Sequence, residues 1–455
     1  MPDLSETGSH ARRGGNRWLI VAAGTALQLC LGTVYAWSYF QKPLMEIYGW
    51  SHSQVIGAFS VAICCLGLMA AWGGVQLPRF GPRKLAVAGG LFFGLGYLAA
   101  AIALHFRSLP LLYLGYGVVG GCGLGLGYVT PVATVAQWFP DRKGLATGVV
   151  IMGFGFGALV MSKLIAPALV QRCGGNYVAV FAWLGAGLGS VSMLVALLLK
   201  NPPTSAAQAV IDEAGEATAT ELILSGRFLL IWGIFFANIL AGISIIGLQS
   251  PLFQSLWKSI DPSLSAPTLA TYGASLIAIS SLFNGLGRML WGGLSDRWGR
   301  LTTFRLMLAS QIAAFGLLAV AGTPWLFAGL VCYILLCYGG GFGTLPAMVL
   351  DTFGPRRMAA VYGAMLTAWS AGGIAGPLWF AFLTDRYGAA ASRYAFLSAA
   401  GCVTAGLMLT LAMNGIRQHS ASGGVSPLPV SRGLDPRRDS ESNCHDNVSS
   451  HATGG

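Results

Sequence analysis

The stretch "SSLFNGLGRMLWGGLSDRWGR" (280–300) carries a single cation, Arg288, inside an apolar run whose next charges are Asp296 and Arg297. On a helix rising about 1.5 Å per residue, the eight-residue step back from Asp296 puts Arg288 about 12 Å below the polar boundary. That is near the middle of a hydrocarbon core about 30 Å thick. A charge at such depth costs roughly 2.5–17 kcal/mol unless it faces a wet cavity or finds a partner. None of the 16 Asp and Glu or the 6 His falls at comparable depth; all lie in loops, tails or helix ends. A bound anion is then the economical partner, because a planar guanidinium matches a carboxylate through two parallel N–H···O bonds. The alternative is a cation bonded to backbone carbonyls or reaching back to the interior surface.

Asn284 lies one helical turn before Arg288, on the same face, and can serve the same ligand or bond a neighbouring helix. Tyr35 in "GTVYAWSYF" and Tyr128 in "GLGYVTP" would offer hydroxyls and ring faces to a small anion. Packing in an aromatic core is the other role open to each. The lack of a buried acid or imidazole argues against a proton relay built on the protein and against a cationic substrate. No nucleophile, metal-ligand cluster or acid–base pair converges in the apolar runs, so neither an enzyme nor a bound metal or cofactor is expected. "GFGFGALV" and "GCGLGLGYV" follow no strand and precede no phosphate-binding lysine, which makes them close helix contacts rather than phosphate loops. Lys163, toward the outer end of its helix, is expected to reach for the interface.

What must position these residues is a membrane bundle. Hydrophobic residues make up 55% of the chain and charged ones 9%, against about 25% charged in soluble domains. Twelve apolar runs reach the roughly 20 residues that a crossing needs, the first over 17–40 and the last over 392–414. The fold class expected is all-α: a polytopic membrane protein with twelve transmembrane helices in two six-helix bundles. The bundles span 17–199 and 227–415, joined by a polar linker over 200–226 and flanked by tails at 1–16 and 416–455, the latter read as disordered. The net charge of +11 raises the question of nucleic acid. The 27 Lys and Arg concentrate on one side of the predicted spans, however, which is the positive-inside pattern and places both termini in the cytoplasm. Asn447 begins a glycosylation sequon that a cytoplasmic tail would keep from the machinery. The nine cysteines show neither paired spacing nor a CxxC motif.

The halves repeat. "GLGYVTPVATVAQWFPDRKGLATG" (125–148) resembles "GGFGTLPAMVLDTFGPRRMAAVYG" (340–363), and "GGLSDRWGR" after the eighth span echoes "FLTDRYG" after the eleventh, on the opposite side. Nested repeats of this kind mark carriers that alternate around a central site.

The pattern from Gly292 to Arg300 resembles the signature loop of the major facilitator superfamily, and the matching topology covers nearly all of 17–414. The resemblance implies that Asp296, Arg297, Gly299 and Arg300, with Arg79 and Arg83 of the first-half copy, help latch the two halves on the cytoplasmic side. Pro78 stands where that copy would carry its acid. "GTVYAWS", "FNGLGR" and "YGAMLTAWSAGGIAGP" further resemble the oxalate/formate antiporter family, itself similar to the monocarboxylate transporters. That likeness implies a carboxylate-binding role for Arg288, with Asn284, Tyr35 and Tyr128 beside it. The oxalate carriers place a lysine where this chain has Trp369, after Thr367 and Ala368. One cation suits a monoanion, and Trp369 would enclose an apolar part of the substrate or simply pack between helices.

The function expected is secondary active transport of a small organic anion, a monocarboxylate, by alternating access in the lipid bilayer of the cell membrane. Either a co-transported proton or a counter-anion would provide the coupling. An exporter of a larger acidic metabolite and a non-transporting receptor on a carrier fold are the alternatives.

Overall fold

The computed structural model describes residues 17–202 and 219–422. The expectations for the N-terminal tail, most of the linker and the tail that carries Asn447 lie outside the described residues.

Helices are the natural outcome for such a chain, since lipid offers no partner to a backbone N–H or C=O and every group must be satisfied within its own segment. Among the described residues there is no strand. Helix α1 runs over Arg17–Gly32, tightens into a 3₁₀ turn at Thr33–Ala36 and continues as Trp37–Tyr48. The path His52–His105 holds two helices, α2 and α3, divided at Gly81, where φ is 74° and ψ 162°, a conformation that glycine alone adopts readily. Then come α4 (Leu109–Trp138), α5 (Lys143–Arg172) and α6 (Tyr177–Ala196). One turn of helix, Ala219–Ile223, precedes α7 (Gly226–Ile260). The second half continues with α8 (Ala266–Trp298), α9 (Arg300–Leu318) and α10 (Pro324–Phe353). Helix α11 comes in two pieces, Met358–Met365 and Thr367–Tyr387, and the membrane-crossing part of α12 is Ala391–Met413.

Eleven of these segments are long and apolar enough to cross a membrane. The one over Ser53–His105 has 53 residues, about 80 Å of helix and far more than one crossing needs. Counted as α2 and α3, it brings the total to the expected twelve.

Polar residues begin the helices where the sequence supplies them. Ser51 and Gln54 form a reciprocal cap at the start of α2, with bonds of 3.2 and 2.8 Å. Asn176 accepts from the backbone of Val178 and Ala179 at α6, and Ser225 and Ser265 do the same work at α7 and α8. Trp183, Leu194, Leu317 and Met408 stand exposed, an arrangement that acyl chains accept and water does not.

Glycine sets how closely the helices meet. Helix α8 lies between α5 and α10, and its Arg288 carbonyl is approached from both. A Cβ added at Gly148 of α5 would come within 2.5 Å of that oxygen, and one added at Gly343 of α10 would also collide with it. The backbone that carries Arg288 is therefore held on two sides by residues that cannot be larger.

Candidate functional site

Arg288 is fully buried. Its Nε donates to Asn284 Oδ1 at 3.4 Å, one turn earlier on α8, and its Nη1 donates to the Ile151 carbonyl of α5 at 3.3 Å. Nη2 has no hydrogen-bond partner. The backbone-carbonyl role open to this arginine on sequence grounds is thus met by one nitrogen only. No Asp or Glu pairs with the guanidinium among the described residues. Its flat faces lie against aromatic rings: Cζ is 4.8 Å from the centroid of Phe342 and 5.3 Å from that of Phe154. Such contacts soften the burial of a cation without neutralising it.

Around the guanidinium stand four tyrosines and an indole. Tyr35, on the 3₁₀ turn of α1, and Tyr338 of α10 share a hydroxyl–hydroxyl bond of 3.1 Å that joins the two halves. Tyr128 of α4 and Tyr362 of α11 are fully buried, and neither hydroxyl has a hydrogen-bond partner. All four hydroxyls lie within electrostatic reach of Arg288. Trp369 closes the group, with its ring centroid 4.7 Å from Phe342, 5.2 Å from Tyr128, 5.6 Å from Phe154 and 6.1 Å from Tyr35. Its Nε1 also lacks a partner.

Two of these side chains sit at breaks in their helices. Tyr35 occupies the turn between the two pieces of α1, and Trp369 follows the interruption of α11 at Leu366. The break in α11 is held from outside: Trp232 of α7 donates to Thr367 Oγ1 at 2.9 Å, while Ser370 donates to the Cys64 carbonyl of α2 at 2.8 Å. Discontinuous helices at the midplane are where membrane carriers expose groups to a ligand.

On the face where α8 turns into α9, a charged cluster ties the halves together. Asp296 accepts from the backbone N–H groups of Gly144 and Leu145, each at 3.0 Å, and so caps α5 from the other half. Arg300 bonds Asp296 and Ser295 and donates Nε to Asp351 at 2.9 Å; Lys143 reaches the same Asp351 at 2.9 Å. Gly299, with φ 85°, makes the turn. Of the other loop residues, Arg79 lies over Phe80, its Cζ 5.4 Å from the ring centroid. Arg83 and Arg297 are exposed, and among the described residues neither adds a side-chain bond to the cluster. From this face up to the level of Arg288, small residues close the seam: Gly144 and Gly155 of α5 against Gly292 and Gly285 of α8, and Gly74 and Gly67 of α2 against the Ala359 and Leu366 carbonyls of α11.

Arg288, Asn284, Tyr35, Tyr128 and Trp369, drawn from four separate runs of sequence, thus share one buried site. Sequence reasoning missed Tyr338, Tyr362, Phe154 and Phe342, and it missed Asp351 in the charged cluster. The repeat of 125–148 with 340–363 gives no signal for Tyr338, since it sets Gly343 opposite Tyr128; only the structure pairs the two tyrosines, Gln28 donating to the Tyr128 carbonyl at 3.0 Å and Asn238 to the Tyr338 carbonyl at 3.3 Å.

Comparison with known proteins agrees with this architecture. The chain is 29% identical over 378 residues to the oxalate:formate antiporter of Oxalobacter formigenes, covering 82% of this chain and 86% of that one. It is 27% identical over 487 residues to apicoplast pyruvate carrier 1 of Toxoplasma gondii, covering 84% and 85%. Identity to monocarboxylate transporter 11 of Mus musculus is 27% over 403 residues, covering 82% and 83%. The crystal structure of the fucose:proton symporter of E. coli superposes with a TM-score of 0.63 at 14% identity, over 86% of this chain and 97% of that one, a likeness of fold alone. A sequence model of the Major Facilitator Superfamily matches residues 21–377, and the chain, a multi-pass membrane protein, belongs to that superfamily.

Proposed function

We propose that this protein is a secondary active transporter of a small organic monocarboxylate, with Arg288 as the carboxylate anchor. The observation that carries the reading is a fully buried guanidinium whose Nη2 has no partner, in a cluster where no acid among the described residues neutralises it. A carboxylate supplies both the missing charge and the missing acceptor. The names of the relatives, which include an oxalate:formate antiporter and a pyruvate carrier, support an organic anion as the cargo.

Alternating access follows from the seam. With α5 against α8 and α2 against α11, the path from the Asp296 face to Arg288 is closed, and the Tyr35–Tyr338 bond covers the site between the halves. Rocking the halves apart at the seam exchanges which side reaches Arg288. Asp296, Gly299 and Arg300, with Lys143 and Asp351, latch the closed seam; the exposed Arg79, Arg83 and Arg297 act with it through their charge. On this reading the latch face lies in the cytoplasm together with both termini, and the protein in the cell membrane. The two bundles, 17–199 and 227–415, move as the rocking bodies. The site's polar side chains other than Arg288 are uncharged, so coupling runs through the cargo itself, as an acid carried with its proton or as one anion exchanged for another.

The test is uptake of labelled formate, lactate, pyruvate and oxalate into proteoliposomes that contain the purified protein, with and without a pH gradient and with and without internal anion. Saturable monocarboxylate flux supports the reading, and its dependence on the gradient or the internal anion identifies the coupling. Absence of flux for every carboxylate, with ligand binding retained, would favour a receptor.

A further inference from the structure

A cleft of about 230 Å³ opens in the wall of the second half, at the face opposite Asp296, where α7 and α9 end and α10 and α12 begin. Its apolar lining comes from all four helices: Leu252 of α7, Leu318 of α9, Phe327 of α10 and Phe396 of α12, with the two phenyl rings 6.5 Å apart. An apolar cavity of roughly 150 Å³ already stays free of water and takes up benzene. A chain of methylene groups that enters the larger cleft gains packing on every side.

The surroundings of the cleft are those of lipid. Leu317 and Val320 stand exposed on its α9 side, and Tyr394 and Leu397 on its α12 side, a rim that acyl chains accept and water does not. Its level is that of the headgroups. Tyr394 stacks on Tyr387 with ring centroids 4.2 Å apart, both rings are exposed, and exposed tyrosines gather at the boundary between membrane and water. One residue before Tyr394, Arg393 lines the same cleft together with Ser255 and Ser392. Arg393 is exposed, and among the described residues it has no hydrogen-bond or ion-pair partner.

We infer that this cleft is a binding site for one anionic glycerophospholipid, with an acyl chain against Leu252, Leu318, Phe327 and Phe396 and the phosphate on Arg393. The two parts of such a molecule match the two parts of the cleft. A guanidinium meets a phosphate through two parallel N–H···O bonds, and the Ser392 hydroxyl can donate beside it. A choline headgroup carries the same phosphate but brings its own cation, which competes with the arginine, so a headgroup of net negative charge is the better fit. The lining shares no residue with the cluster around Arg288. A lipid held here is a companion of the second half and not its cargo.

Native mass spectrometry of the purified full-length protein provides the test. The delipidated protein in detergent receives equal amounts of phosphatidylglycerol and phosphatidylcholine with matched chains. The fraction that carries one lipid of each kind is then measured for the wild type, Arg393→Ala, Arg172→Ala and Ala319→Trp. The wild type should retain phosphatidylglycerol over phosphatidylcholine by about fivefold, the effect of one arginine on an anionic headgroup. Arg393→Ala should bring that ratio to about one. Arg172→Ala removes an exposed cation at the end of α5, on the same face and outside the cleft, and should leave the ratio unchanged. Ala319 lines the cleft, so Ala319→Trp fills it and should lower the retention of both lipids. Equal retention of the two lipids by the wild type overturns the site, and so does a preference that survives Arg393→Ala or is lost as fully in Arg172→Ala. Retention untouched in Ala319→Trp overturns it as well, since the acyl chain would then lie elsewhere. Should that variant fail to fold, the wild type and the two arginine variants decide.

Discussion

The hydroxyls of Tyr35 and Tyr338 meet at 3.1 Å across 303 residues of chain, one on the broken helix α1 and the other on α10. The bond spans the two halves beside Arg288, so on the proposed carrier reading it belongs both to the cover of the site and to its ligand shell. Tyr338→Phe removes it while keeping the ring that packs on Phe342 at 5.2 Å. A neutral buried hydrogen bond is worth about 0.5–1.5 kcal/mol. The half-saturating substrate concentration for uptake should therefore rise about two- to tenfold, with the melting temperature changed by only a few degrees.

Asp296 caps α5 from the opposite half, accepting from Gly144 and Leu145 and pairing with Arg300. Asp296→Ala takes away those acceptors, and a lost cap of this kind costs about 0.5–2 kcal/mol. The closed seam should lose that much against the open one. Thiol labelling of a cysteine placed at the buried Thr147, one turn inside the seam, should then rise about two- to thirtyfold. Unchanged labelling would mean that the cluster does not hold the halves together.

Gly343 meets the Arg288 carbonyl, and the atom that a side chain would strike is backbone, which cannot swing aside. Gly343→Val must push α8 and α10 apart, at a cost of about 1–3 kcal/mol. The expected result is a lower melting temperature of the purified protein together with weakened carboxylate binding. Gly187, where an added Cβ meets nothing within 4 Å, is the control, and Gly187→Ala should leave both unchanged.

Trp369 closes the aromatic cluster around Arg288, 4.7 Å from Phe342 and 5.6 Å from Phe154. Trp369→Lys places a second cation beside Arg288, and two cations match a dianion. Uptake competition should shift from pyruvate toward oxalate by about tenfold or more. A variant that binds neither acid, yet elutes as a single species, would show that the indole is needed for packing alone.

Arg288 and Asn284 are legible in the sequence because a cation in the middle of an apolar run has few inexpensive explanations. Twelve spans are legible for a similar reason, since length and hydropathy are set by the bilayer. Tyr338, Tyr362, Phe154 and Phe342 are not. Aromatic residues are ordinary in apolar helices, and which of them face the site depends on the rotation of each helix and on the break at Leu366. Asp351 is hidden differently: its meaning lies in Lys143, 208 residues away in the other half, and in Arg300, 51 residues away in its own. The signature loop marks Asp296 and Arg300, which bond in the cluster, while Arg83 and Arg297 stand exposed, because a motif fixes residue types and not which of them turn inward.

On the proposed carrier reading, the buried cation of α8 is held for an anion from solution, and initial rates of labelled pyruvate uptake into proteoliposomes for wild type, Arg288→Lys and Arg288→Ala at matched protein density decide it. A lysine keeps the charge but cannot keep the Asn284 and Ile151 bonds while presenting a free donor, so uptake should fall about tenfold or more in Arg288→Lys and vanish in Arg288→Ala. Pyruvate flux at the wild-type rate in Arg288→Ala would contradict the account, since the guanidinium would then be a structural group bonded to Ile151 and Asn284 and nothing more.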